Sequence, residues 1–98
     1  MAWTDRRLLE LFGIDHPILQ APMAGVTSPA MAVAVSQAGG LGAIAAAMLT
    51  PETLRSEFQV VRQGTSRPFN VNFFTHQSPQ PDPAREAAWR GKLAPYYR

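Results

Sequence analysis

Three pairs, Ser28-Pro29, Thr50-Pro51 and Asp82-Pro83, each set an N-capping side chain directly before a proline, and each opens a stretch with apolar residues at helical spacing. The capping oxygen satisfies an orphan amide of the first helical turn, and proline fits the first helical position because no partner awaits its missing N–H there. Short apolar runs lie before each of these helices: Pro17 to Gln20, Leu41 to Ala47 and Phe69 to Phe74. Strand and helix therefore alternate three times at roughly 25-residue spacing, the pattern of right-handed βαβ units on a parallel sheet. The expected class is α/β.

Within that frame the residues assign each element. Leu8, Leu9, Leu11 and Phe12 suit a lead-in helix begun near Thr4 and ended by Gly13. Met31, Val35 and Ala38 are the expected inward stripe of the next helix, with Gly39-Gly40 as its terminator. Leu41 to Ala47 has small side chains, which suits an inner strand crowded by neighbours or by a ligand, although alanine runs also favour helix. Leu54, Phe58 and Val61 form the stripe of the following helix, which has Glu52 near its positive end and Gly64 at its close. The last helix carries Trp89, Leu93 and Tyr96 on one face as core or docking groups, and Pro95 should disturb its final turn.

A chain of 98 residues is at most one small domain, and its 46% hydrophobic and 16% charged content belongs to a packed interior. Nine Lys and Arg against seven Asp and Glu leave a net charge of +2, and only Arg6-Arg7 is contiguous. A nucleic-acid footprint needs a concentrated basic face, so no nucleic-acid partner is expected. Without cysteine there is neither a disulfide framework nor a thiolate metal site, and a cytoplasmic location is the expectation. Leu41 to Leu49 is far short of the roughly 20 apolar residues that span a bilayer, so no membrane partner is expected either.

Three βα units fit an open doubly wound sheet or part of a (β/α)8 barrel, and loop chemistry separates the two. A dinucleotide fold places G-x-G-x-x-G directly after the first strand, whereas this chain has Ala21-Pro22-Met23-Ala24-Gly25 there. Gly39-Gly40-Leu41-Gly42 sits at the opposite end, where packing and turn geometry are its expected roles.

The wording from His16 to Gly25, from Ala34 to Gly42 and from Pro68 to Phe74 resembles the nitronate monooxygenase family, formerly the 2-nitropropane dioxygenases. The resemblance covers nearly the whole chain from Phe12 onward, and Trp89 with Leu93-Ala94-Pro95-Tyr96-Tyr97 looks like the third-helix region of some members. It implies a (β/α)8 TIM barrel holding FMN at the carboxyl ends of its strands and oxidising alkyl nitronates with dioxygen. The chain then supplies the first three βα units of an incomplete barrel, since a typical barrel has about 250 residues. The resemblance also implies that Ala21, Pro22, Met23 and Ala24 lie against the isoalloxazine and that Asn72 hydrogen-bonds the flavin. It places the family's catalytic histidine and phosphate-holding glycines beyond residue 98, so no residue here is expected to be catalytic.

The residues read alone keep other roles open. Met23 could fill a core gap, and Asn72 could cap a turn. Asn70 and Asn72 are expected to point opposite ways, with Asn72 inward. His16 should be structural at the amino end of the sheet, and His76, past the third strand on the catalytic face, could contact substrate but is expected to be a solvated or capping residue. No metal ligands are expected. Two rival functions stand beside the first: a barrel fragment like the FMN-dependent enoyl-acyl-carrier-protein reductases, which use NAD(P)H, or a non-catalytic docking module. An uncovered sheet edge would invite self-association.

Overall fold

The computed structural model describes residues 2–97, so the terminal position of Arg98 lies outside the described residues. The elements are α1 (Arg7–Phe12), α2 (Pro29–Gln37), β1 (Gly42–Ala45), α3 (Pro51–Gly64), β2 (Phe69–Asn72) and α4 (Pro83–Leu93), then a 3-10 turn over Ala94–Tyr96. All three expected caps form: Ser28 Oγ accepts from the Met31 amide at 3.2 Å, Thr50 Oγ1 from Thr53 at 3.2 Å and Asp82 Oδ1 from Arg85 at 3.0 Å. Pro95 tightens the end of α4 into the 3-10 turn, as its missing donor and fixed φ require. Gly13 ends α1 in the left-handed conformation, but α1 starts at Arg7 rather than near Thr4. Asp5 accepts from the Arg7 guanidinium and, less strongly, from the Arg7 amide just ahead of that start, which holds its carboxyl below the usual carboxylate range.

β1 and β2 pair in parallel, from Gly42 opposite Phe69 to Ala45 opposite Asn72. The run Pro17 to Gln20 does not form a full strand. It meets the residue just ahead of β1 through one parallel bridge, Leu19 opposite Leu41, with Gln20 N donating to Leu41 O and Leu41 N to Ile18 O, both at 2.9 Å. Toward the carboxyl end the next ladder position is Pro22, which has no N–H, and toward the amino end the Ile18 amide donates to His16 O at 2.7 Å instead of to the sheet. The third strand likewise ends at Asn72 instead of Phe74, leaving Phe73 and Phe74 exposed.

The core lies between the sheet and the α2–α3 layer, where Ala32, Ile44, Ala46 and Val61 are buried and Leu54, Phe58, Phe69 and Val71 pack around them. The Leu54, Phe58 and Val61 stripe of α3 thus faces inward as its spacing predicts. For α2 the expected stripe is corrected. Ala32 and Ser36 are fully buried, while Met31 and Ala38 are exposed and Val35 is only half-buried. A helix apolar on all sides carries no sequence signal for which face packs, and here close approach to β1 selects the smallest residues. A Cβ on Gly42 would lie 2.2 Å from the Ala32 carbonyl oxygen.

A second cluster of Leu9, Ile14 and Leu41, with Phe12 against it, closes the amino end of the sheet beneath α1. There the amides of Asp15 and His16 both donate to the Gly39 carbonyl, and His16 meets Trp3 edge to face at 6.4 Å between ring centroids. His16 and the glycine cluster thus lie packed at the amino end of the sheet, where the sequence reading places them.

The last helix departs from expectation. Trp89 and Tyr96 are exposed, no residue of α4 is buried, and α4 packs against the adjoining 3-10 turn rather than the sheet. A crossover helix beds into the groove between its own strand and the next, and among the described residues no strand follows β2. The undocked arm raises the radius of gyration to 18.9 Å, against about 13 Å for a compact chain of this length.

Candidate functional site

The carboxyl end of the parallel sheet gathers the chemistry-bearing loops, as it does in α/β folds generally. Directly after the first run the chain leaves the sheet at Ala21 and turns over that edge. The Met23 carbonyl holds the turn, accepting from Val26 N at 3.1 Å, Thr27 N at 2.9 Å and Thr27 Oγ1 at 3.0 Å. Gly25 sits in its middle at φ +75°, which L side chains rarely adopt. Ser28 then begins α2, so an ordered backbone runs from the bridge at Leu19 to the helix.

Ala21 and Ala24 are exposed, Pro22 is half-buried and Met23 is 44% exposed, so Met23 fills no core gap among the described residues. Asn72 ends β2 on the same sheet edge, its carbonyl accepting from Ala46 N at 2.9 Å. Its half-buried carboxamide makes no side-chain hydrogen bond among the described residues and caps no turn there. The expectation that separated the two asparagines is corrected: strand periodicity is two, so Asn70 and Asn72 share one face, and Phe69 and Val71 take the core face. Asn72 differs from Asn70 by its place at the strand end and its greater burial.

Between these segments β1 contributes Ala43 and Ala45, both small and both on the side away from the α2–α3 core. The edge therefore offers an exposed turn of small residues, one thioether and one unengaged carboxamide. Such a surface admits a flat ligand and offers it apolar contact plus a group that can both donate and accept. None of Ala21, Pro22, Met23, Ala24, Ala43, Ala45 and Asn72 is an acid or a base. His76 is exposed in the loop beyond β2, with its ring 5.7 Å from that of Phe74. No cluster of three or more metal-binding side chains occurs among the described residues. No helix among them is long and apolar enough to cross a membrane. A separate groove of about 840 Å³, lined by Pro81, Arg85 and Trp89 among others, shares no residue with this edge.

Two residues escaped the sequence reading. Gln20 extends its carboxamide to Ala43, accepting from Ala43 N at 3.1 Å and donating to Ala43 O at 3.4 Å. Its signal was its place in a broken strand one residue before Ala-Pro. Ser36, fully buried in α2, accepts from Gly42 N at 3.1 Å and donates to Pro68 O at 3.0 Å. A lone serine inside an apolar helix was the available signal.

The nitronate monooxygenase family model matches residues 5–97. The chain is 52% identical over 94 residues to a nitronate monooxygenase of Pseudomonas aeruginosa and 47% identical over 92 residues to one of Paraburkholderia phytofirmans. It covers 26% and 25% of their lengths, with 96% and 94% of its own residues aligned, and so spans about a quarter of these relatives. Among solved structures it is similar to nitroalkane oxidase from Streptomyces ansochromogenes, with a TM-score of 0.69 and 43% identity over 90% of this chain and 24% of that one. A FabK variant from Thermotoga maritima gives a TM-score of 0.68 at 39% identity, over 89% of this chain and 29% of that one. With the parallel register, these likenesses make the fold class α/β, an incomplete (β/α)8 barrel. The match across residues 5–97 and the two bacterial relatives show that the chain belongs to the nitronate monooxygenase family.

Proposed function

We propose that this chain forms the amino-terminal wall of an FMN site in an enzyme that oxidises alkyl nitronates with dioxygen. The observation that carries the reading is the ordered, exposed turn from Ala21 to Ala24 at the carboxyl edge of the sheet, with the unengaged Asn72 carboxamide ending β2 on that edge. Ala21, Pro22, Met23 and Ala24 would hold the isoalloxazine by close apolar contact and through their backbone groups. The Asn72 carboxamide would donate to or accept from its polar rim. FMN, when bound, supplies the redox capacity that the side chains of this chain lack. What these residues contribute is binding, orientation and exclusion of water from one side of the ligand.

The nitronate reading is supported by the family match and by the nitroalkane oxidase likeness. A FabK-like reading has nearly equal structural likeness, so the backbone alone does not divide the two. Chemistry does: a nitronate oxidase consumes oxygen on an alkyl nitronate without a nicotinamide, whereas an FMN-dependent enoyl reductase oxidises NADH. The test is oxygen uptake by the intact protein with an alkyl nitronate, run beside NADH oxidation. Nitronate-dependent uptake with no NADH oxidation is expected, and the reverse pattern would overturn the assignment. The 98-residue chain assayed alone is expected to turn over no nitronate, because none of Ala21, Pro22, Met23, Ala24 and Asn72, the residues of the proposed wall, carries a base for the substrate carbon.

A further inference from the structure

We propose that Gln20 is a positioning residue for the flavin wall, its carboxamide standing in for a ladder step that Pro22 cannot make. The inference rests on the reading of Ala21 to Ala24 as that wall. In a parallel pair, alternate residues of one strand bond to two flanking residues of the other. Leu41 does this with Ile18 O and Gln20 N. Two residues further along β1, Ala43 would need the Gln20 carbonyl and the Pro22 amide, and Pro22 has no N–H.

The Gln20 side chain supplies both partners. Its Oε1 accepts from Ala43 N at 3.1 Å, and its Nε2 makes the longer donation to Ala43 O at 3.4 Å. The orientation of the amide is forced, because a backbone N–H meets only an acceptor and a carbonyl only a donor. Ala43 is 1% exposed, so water is poorly placed to replace either bond. A continued backbone ladder would hold Ala21 and Pro22 flat in the sheet. The side-chain ladder instead anchors the chain at Gln20 and frees the next residue to turn over the sheet edge.

The test uses the intact protein with Gln20→Met, which keeps side-chain length without hydrogen bonds, and Gln20→Glu, which keeps the acceptor but sets a second acceptor against the Ala43 carbonyl. The readouts are hydrogen exchange of the Ala43 amide in the flavin-free protein and the FMN dissociation constant by fluorescence titration. For Gln20→Met, Ala43 exchange about tenfold faster and an FMN dissociation constant about tenfold higher are expected. Gln20→Glu should recover Ala43 protection and bind FMN more weakly than the wild type. Should the methionine variant fail to fold, the glutamate variant carries the test alone. Wild-type FMN affinity in either folded variant overturns the positioning role. A wild type that binds no FMN overturns the cofactor-wall reading and this role with it, and the persisting exchange contrast at Ala43 tells that failure apart from the first.

Discussion

Ser36 Oγ lies 3.1 Å from the Gly42 amide and joins α2 to the first residue of β1 where the two elements come closest. The same hydroxyl donates to Pro68 O at 3.0 Å, so one buried atom ties α2, β1 and the entry to β2 together. Ser36→Ala keeps the volume nearly constant but leaves the Gly42 amide and the Pro68 carbonyl without that partner. A loss of about 1–3 kcal/mol is expected, read in urea as a lower midpoint with an unchanged slope.

Gly42→Ala tests the closeness of that contact. The added Cβ would meet the Ala32 carbonyl oxygen at 2.2 Å, and backbone cannot rotate away as a side chain can. The expected cost is about 1–3 kcal/mol or more by equilibrium denaturation. A stability within about 0.5 kcal/mol of the wild type would show that α2 sits further from β1 than described.

The caps divide the chain into a packed part and an arm. Thr50→Ala removes the acceptor for the Thr53 amide at the start of α3, which packs on the core, and should lower global stability by about 1 kcal/mol. Asp82→Ala removes the equivalent bond from α4, which has no buried residue and packs chiefly on the adjoining 3-10 turn. It should lower helix content by circular dichroism while the cooperative midpoint stays in place. A shared midpoint shift in both variants would mean that α4 is docked.

Asn72→Leu should raise the FMN dissociation constant about tenfold, the loss of one or two hydrogen bonds to the ligand. Flavin-free stability should hold to within about 0.5 kcal/mol, since the carboxamide has no hydrogen-bond partner to lose among the described residues. Asn70→Leu is the control, because Asn70 shares the face but lies further from the strand end. Equal effects from the two would remove the special role given to Asn72.

The cap-proline pairs made the helix starts legible to the residue, because capping is local chemistry carried by adjacent side chains. The amphipathic α3 also revealed its inward face through Leu54, Phe58 and Val61. The face of α2 was hidden, since its apolar residues surround the axis and the choice of Ala32 and Ser36 depends on how near β1 comes. The first strand was overextended because an apolar run signals burial, whereas ladder length depends on donors, and Pro22 lacks one while the Ile18 amide donates to His16 O. Of the site, the residue types at the sheet edge were legible. The Gln20 contact with Ala43 was not, because it depends on the register between two segments 23 positions apart.

The most direct test of the cofactor wall is hydrogen exchange mapped on the intact protein with and without saturating FMN. Slower exchange is expected at the amides of Ala21, Met23 and Ala24 and at Asn72, with the amino-end cluster around Leu9 and Ile14 unchanged. Binding of FMN that leaves residues 21–24 and Asn72 exchanging as before would contradict the account.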